Sequence, residues 1–183
     1  MSEEDRSRWE ARHTDASGDD TPTPPLVLGP LAQHFPTSGR ALDLACGRGQ
    51  ASVWLARRGM TVWGVDVSPV AVERATRLAV EYGVTDRCRF TVWDLDQGLP
   101  EGPPVDLLLC HMFRDPELDE ALMLRLAPGG LLAVAVLSEV GGKAGPFRAA
   151  PGELRAAFGA LDVLSDGEEG GRAWILAHAD VPS

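Results

Sequence analysis

Five short apolar runs, spaced so that helices fit between them, constrain this chain more than any other feature. They are residues 40–45 (RALDLA), 61–66 (TVWGVD), 88–93 (CRFTVW), 105–110 (VDLLLC) and 131–137 (LLAVAVL). Each run is continuous rather than alternating, which marks strands buried on both faces. That implies a parallel sheet with helices on each side. Between the runs lie helix signals. Residues 50–58 form one helix, with Val53, Trp54, Leu55 and Ala56 facing inward and Gly59 closing it. A second starts at the N-cap Ser68 with Pro69 as first helical residue, runs to Tyr82 and closes at Gly83. A third, over 116–126, ends in Ala127-Pro128-Gly129-Gly130. A helix over 151–158 then precedes strands over 161–165 and 173–179. The link between those strands is too short for a crossover helix, so they pair antiparallel. The expected fold is α/β: a doubly wound, mostly parallel seven-stranded sheet with an antiparallel last strand.

With 183 residues, the chain has the length of one domain. Residues 1–37 read as an N-terminal arm or lid and a first helix over 26–35 that holds Pro30. Residues 38–183 read as the binding domain. The net charge of -10 repels phosphate backbones, which argues against nucleic acid as a partner. No apolar run approaches the roughly 20 residues that span a bilayer. The acidic start lacks the apolar stretch of a secretory signal. The expected setting is cytoplasmic, without membrane association, as a monomer or homodimer. Cys46, Cys88 and Cys110 lack metal-type spacing and read as free thiols in a reducing compartment. Lys143 is the only lysine among many arginines, a composition that points to a bacterial source.

In an open parallel sheet, ligands bind beyond the carboxyl ends of the strands, where strand order reverses. The residues just after each strand therefore carry the functional argument. After the first comes Asp43-Leu44-Ala45-Cys46-Gly47-Arg48-Gly49, a small-residue turn that lets backbone approach a ligand at a helix start. A tight structural turn explains it equally. After the second comes Asp66, close to the roughly 20-residue offset from Gly47 at which nucleotide-binding folds place an acid on ribose hydroxyls. Its bland alternative is capping the Ser68 helix. After the third come Asp94, Leu95 and Asp96, where a carboxylate accepts from an adenine amino group and the Leu95 amide donates to the ring. A solvated loop is the bland alternative there.

Together these residues resemble the class I S-adenosylmethionine (SAM)-dependent methyltransferases. The family's loop, D/E-x-G-x-G-x-G, matches Asp43 to Gly49 except that Ala45 replaces the first glycine. Asp66 and Asp94 match its second- and third-strand acids, and Leu126-Ala127-Pro128-Gly129-Gly130-Leu131 is similar to its turn before the fifth strand. The resemblance covers residues 38–179. It implies that the loop with Asp43, Ala45, Cys46, Gly47 and Gly49 holds the methionine end of SAM, and that Asp66 binds the ribose with Val67 against the adenine. Asp94 and Leu95 read the adenine edge. Cys110, His111 and Met112 border cofactor and acceptor. Residues 9–13 (WEARH) resemble the entry segment of the tellurite- and thiopurine-modifying types, where Arg12 would meet the methionine carboxylate.

Methyl transfer from a sulfonium is an in-line displacement that needs alignment above all. A general base helps with a hydroxyl acceptor. His111 is the candidate base, with Asp115 and His13 behind it. The acceptor pocket is expected from the arm, residues 113–116 and the loop 138–147, and a small molecule with an O, S or N nucleophile is the expected acceptor, with S-adenosylhomocysteine (SAH) the product. No metal cluster is expected. Two other readings stand beside this one. One is a nicotinamide-dependent oxidoreductase, disfavoured because residues 45–50 do not give G-x-G-x-x-G. The other is a SAM-binding protein without transferase activity.

Overall fold

The computed structural model describes residues 21–143, 145 and 147–181. The expected arm over the first 20 residues, with Arg12 and His13, lies outside them.

Eight strands form one sheet: β1 (Arg40–Leu44), β2 (Thr61–Asp66), β3 (Cys88–Val92), β4 (Val105–His111), β5 (Leu126–Ser138), β6 (Arg148–Ala149), β7 (Asp162–Glu169) and β8 (Arg172–His178). The order is β3-β2-β1-β4-β5-β8-β7, and the two-residue β6 pairs with the end of β5. β1 to β5 run parallel, and β8 is antiparallel to both β5 and β7. The seven expected strands are all present, with the last one reversed as expected.

The central strand shows why the runs are continuous. Leu107, Leu108 and Leu109 are consecutive in β4 and all fully buried. Because successive side chains point to opposite faces, each face of the sheet must be covered. Leu107 and Leu109 pack with Val53, Leu55 and Met60 on one side, and Leu108 packs with Leu122, Leu154 and Phe158 on the other. Burying each leucine contributes about 2 kcal/mol.

Helix α1 (Gln50–Arg57) buries Ser52, Val53, Leu55 and Ala56. Trp54, expected to face the core, is half-buried; its ring meets Phe35 edge-on, and the Arg58 guanidinium lies 4.8 Å from its centroid. Helix α2 (Pro69–Glu81) has the expected cap: Ser68 Oγ accepts from the Ala71 amide at 3.2 Å. The expected helix over 116–126 divides into a 3-10 turn, Pro116–Leu118, and α3 (Asp119–Arg125). Helix α4 is Glu153–Phe158. Leu26–His34 is a 3-10 segment rather than an α-helix. Pro30 lies inside it, where the missing N–H leaves no donor for a regular ladder.

Candidate active site

Strand order reverses between β1 and β4. The residues named from sequence sit at the carboxyl ends around that point.

Three backbone hydrogen bonds stitch the strand ends together. The Cys46 amide donates to Val65 O at 3.0 Å and the Trp93 amide to Asp66 O at 2.9 Å. The Met112 amide donates to Ala135 O at 2.8 Å. The turns after β1, β2 and β3 thus form one surface, and the turn after β4 is tied to β5.

The loop after β1 is a left-handed turn. Ala45 has φ +52°, Gly47 +54° and Gly49 +79°. The residue that departs from the family pattern therefore holds the backbone conformation that a glycine would take. An alanine there costs about 1 kcal/mol. Gly49 caps α1, and a Cβ on it would lie 2.7 Å from the Ala75 Cβ, so nothing larger fits.

Asp66 is nearly buried, and each of its oxygens accepts one amide. Oδ2 takes the Gly47 N–H and Oδ1 the Ser68 N–H, both at 2.9 Å. One carboxylate thus holds both the loop and the N-cap residue Ser68, while Ser68 Oγ makes the cap itself. Each oxygen carries a second lone pair, so the acid retains acceptor capacity. Val67, half-buried, follows it. Asp94 caps the 3-10 turn Leu95–Gln97, with Oδ1 accepting from Asp96 N at 3.1 Å, and Leu95 is buried beneath.

Asp43 lies under the loop, only 1% exposed, with Ser52 Oγ donating to its Oδ2 at 2.5 Å. Burial pushes its carboxyl up to about 7; the Ser52 hydroxyl offsets part of the rise, and the Asp66 charge adds to it. Burial, Asp43 and Asp66 likewise push the Cys46 thiol well up. Cys110, buried and donating to Phe113 O at 3.2 Å, is pushed up to about 12, chiefly by burial. All three cysteines are free thiols. Among the described residues no cluster of His, Cys, Asp or Glu is arranged to hold a metal ion.

His111 ends β4. Burial lowers its pKa to about 4, and the charge of Arg172 lowers it too. The imidazole is neutral at pH 7, with a lone pair to offer, but it is a weak base. Met112 then turns the chain at φ +61°, and the Phe113 ring stacks on Phe147 with centroids 5.8 Å apart.

Sequence reasoning placed Arg114 only within the expected acceptor segment 113–116 and missed its ion pairs. It is buried; Nη1 and Nη2 donate to Asp119 Oδ1 and Oδ2 at 2.5 and 2.8 Å, and Nε donates to Glu153 Oε1 at 2.6 Å. This fork fastens the turn after β4 to the starts of α3 and α4. Beside it, a cleft is lined by Leu44, Cys110, Phe113, Val134 and Phe158. Ser52, the Asp43 partner, was missed as well.

Residues 41–130 match the family model of a methyltransferase domain. Over that segment the chain is similar to methyltransferases. The chain is 30% identical to a ubiquinone biosynthesis O-methyltransferase of Xylella fastidiosa over 121 residues, 62% of this chain and 48% of that protein. It is 33% identical to a tRNA 5-carboxymethoxyuridine methyltransferase of Escherichia coli over 112 residues, 57% of this chain and 42% of that protein. The chain spans about half the length of these curated relatives. The crystal structure of TehB from Haemophilus influenzae superposes with a TM-score of 0.73 at 16% identity, covering 96% of this chain and 67% of that one, a likeness of fold. No helix among the described residues is long and apolar enough to cross a membrane.

Proposed function

We propose that this chain moves the methyl group of SAM to a small-molecule nucleophile. The observation that carries the reading is the convergence of the left-handed Ala45–Gly49 loop, Asp66 and the Asp94–Leu95 turn on one surface at the strand-order reversal. The residues fit the cofactor. The 45–49 loop would receive its methionine end, Asp66 the ribose hydroxyls with Val67 beside the adenine, and Asp94 with Leu95 the adenine edge. Cys110 and His111 would border the sulfonium, and Arg12 from the arm would meet the methionine carboxylate. Bound there, SAM supplies an activated methyl group. The protein's own part is to align the acceptor and exclude water.

The small-molecule acceptor is favoured by the net charge of -10, which opposes binding of a polyanion. That charge also sets this chain against a tRNA acceptor, the substrate in the name of one relative. The test is transfer from methyl-labelled SAM to three pools: a small-metabolite extract, total tRNA and unfolded protein. Label in the small-molecule fraction alone supports the proposal. Label in tRNA or protein overturns the acceptor assignment, and NAD binding without SAM binding overturns the transferase.

A further inference from the structure

The register of the sheet gathers two guanidinium groups at the acceptor side of the site. Leu137, near the carboxyl end of β5, pairs with Arg148 of β6 on one side and with Arg172 of β8 on the other. Register partners share a face of the sheet, so both arginines rise from the same face. Two residues back, Ala135 pairs with His111 of β4 and Trp174 of β8, again on that face. His111 and both arginines thus belong to one surface at the carboxyl ends of the strands.

Each arginine is constrained. Arg148 Nη1 donates to Ser138 O at 3.4 Å; a Cβ on Gly142 would meet that oxygen at 2.5 Å and Nη1 at 3.3 Å, so the loop backbone lies directly on the guanidinium. Arg172 is half-buried, and its charge reaches the His111 ring. Its register partner on β7 is Glu169, which is exposed. Among the described residues Arg172 has no hydrogen-bond or ion-pair partner. Arg114 is consumed by Asp119 and Glu153. In a chain of charge -10, a half-buried arginine with no side-chain hydrogen-bond or ion-pair partner among the described residues forms a local reversal of sign beside the reacting edge.

We propose that the acceptor's nucleophile enters as an anion, a carboxylate or thiolate, received by Arg172 with Arg148 behind it, and that His111 orients it without removing a proton. The neutral, weakly basic imidazole agrees with this: it does not deprotonate an alcohol effectively, and an anionic nucleophile needs no base. The step balances without a proton. An oxygen or sulfur lone pair forms the new bond to the methyl carbon, the carbon–sulfur bond of the sulfonium breaks, and its electron pair stays on sulfur. A neutral ester or thioether and a neutral thioether result. This inference rests on the methyltransferase reading above.

The test loads the protein with SAH and titrates benzoate, benzenethiolate and the neutral benzyl alcohol by calorimetry, in wild type, Arg172→Gln, Arg172→Lys and Arg148→Gln. The expected result is at least tenfold tighter binding of the two anions than of the alcohol. The preference is lost in Arg172→Gln, largely kept in Arg172→Lys and reduced in Arg148→Gln. SAH binding in each variant reports that it is folded. Equal binding of anions and alcohol, or an unchanged ratio in Arg172→Gln, overturns the inference. Failure of SAH to bind at the loading step overturns the methyltransferase reading instead, so the two failures are separable.

Discussion

The Gly47 amide donates to Asp66 Oδ2 at 2.9 Å, joining the loop after β1 to the end of β2 through one side chain. Asp66 therefore holds the loop as well as offering itself to a ligand. Asp66→Ala removes both functions. We expect at least 100-fold weaker SAM and SAH binding by calorimetry. Asp66→Asn keeps one acceptor oxygen and is expected to fall between. Unchanged SAH affinity in Asp66→Ala would remove the carboxylate from the site.

Ala45 occupies a left-handed position, so Ala45→Gly relieves strain. The gain, about 1 kcal/mol, is partly offset by the freer unfolded chain. The expected outcome is a small rise in the midpoint of urea unfolding, with SAH affinity within threefold of wild type. Ala45→Val, branched at Cβ, is expected to destabilise by more than 1 kcal/mol.

Asp43 and His111 give opposite pH slopes. The Asp43 pKa rises from 3.8 unfolded to about 7 folded, so its contribution is fully present below 3.8 and is lost as pH rises through 7. His111 falls from 6.5 to about 4, so its contribution is present above 6.5 and is lost as pH falls through 4. Between pH 4 and 6.5 the two slopes cancel, each about 1.4 kcal/mol per pH unit. Asp43→Asn should expose the His111 slope: unfolding free energy then climbs steeply from pH 4 to 6.5. His111→Gln should expose the reverse. Denaturant titrations across this range check both.

Arg114→Ala leaves two carboxylates facing each other without their cation. Loss of a buried partner of this kind costs about 3 kcal/mol or more. We expect a large fall in unfolding free energy, and a smaller one for Arg114→Met, which refills the volume over the Phe158 ring. Equal stability of wild type and Arg114→Ala would show the fork to be energetically neutral.

The fold was legible because burial on two faces is written directly into residues such as Leu107 to Leu109, and because Ser68-Pro69 and Gly83 are local signals read without tertiary context. The strand-end acids followed from position along the chain. What stayed hidden depends on contacts distant in sequence. Arg114 and Glu153 meet only once α4 has docked, and nothing in either segment names the other. Arg148 and Arg172 become neighbours of Leu137 only through the register of two further strands. Ala45 reads as a departure from the family loop because its identity is visible in sequence and its left-handed φ is not. The 3-10 turn at Pro116 was absorbed into a helix because apolar spacing alone does not separate the two geometries.

The placement of β8 bears on how the protein is made. It is the last of the described strands to leave the ribosome, yet it occupies an interior lane, and β7 joins the sheet only by pairing with it. Until His178 has emerged, most of one edge of β5 stands open and the hairpin partner of β7 is missing. The nascent chain thus carries an unsealed β5 edge until β8 is made, and the lane that contributes Arg172 to the acceptor face is the last of the described lanes set in place.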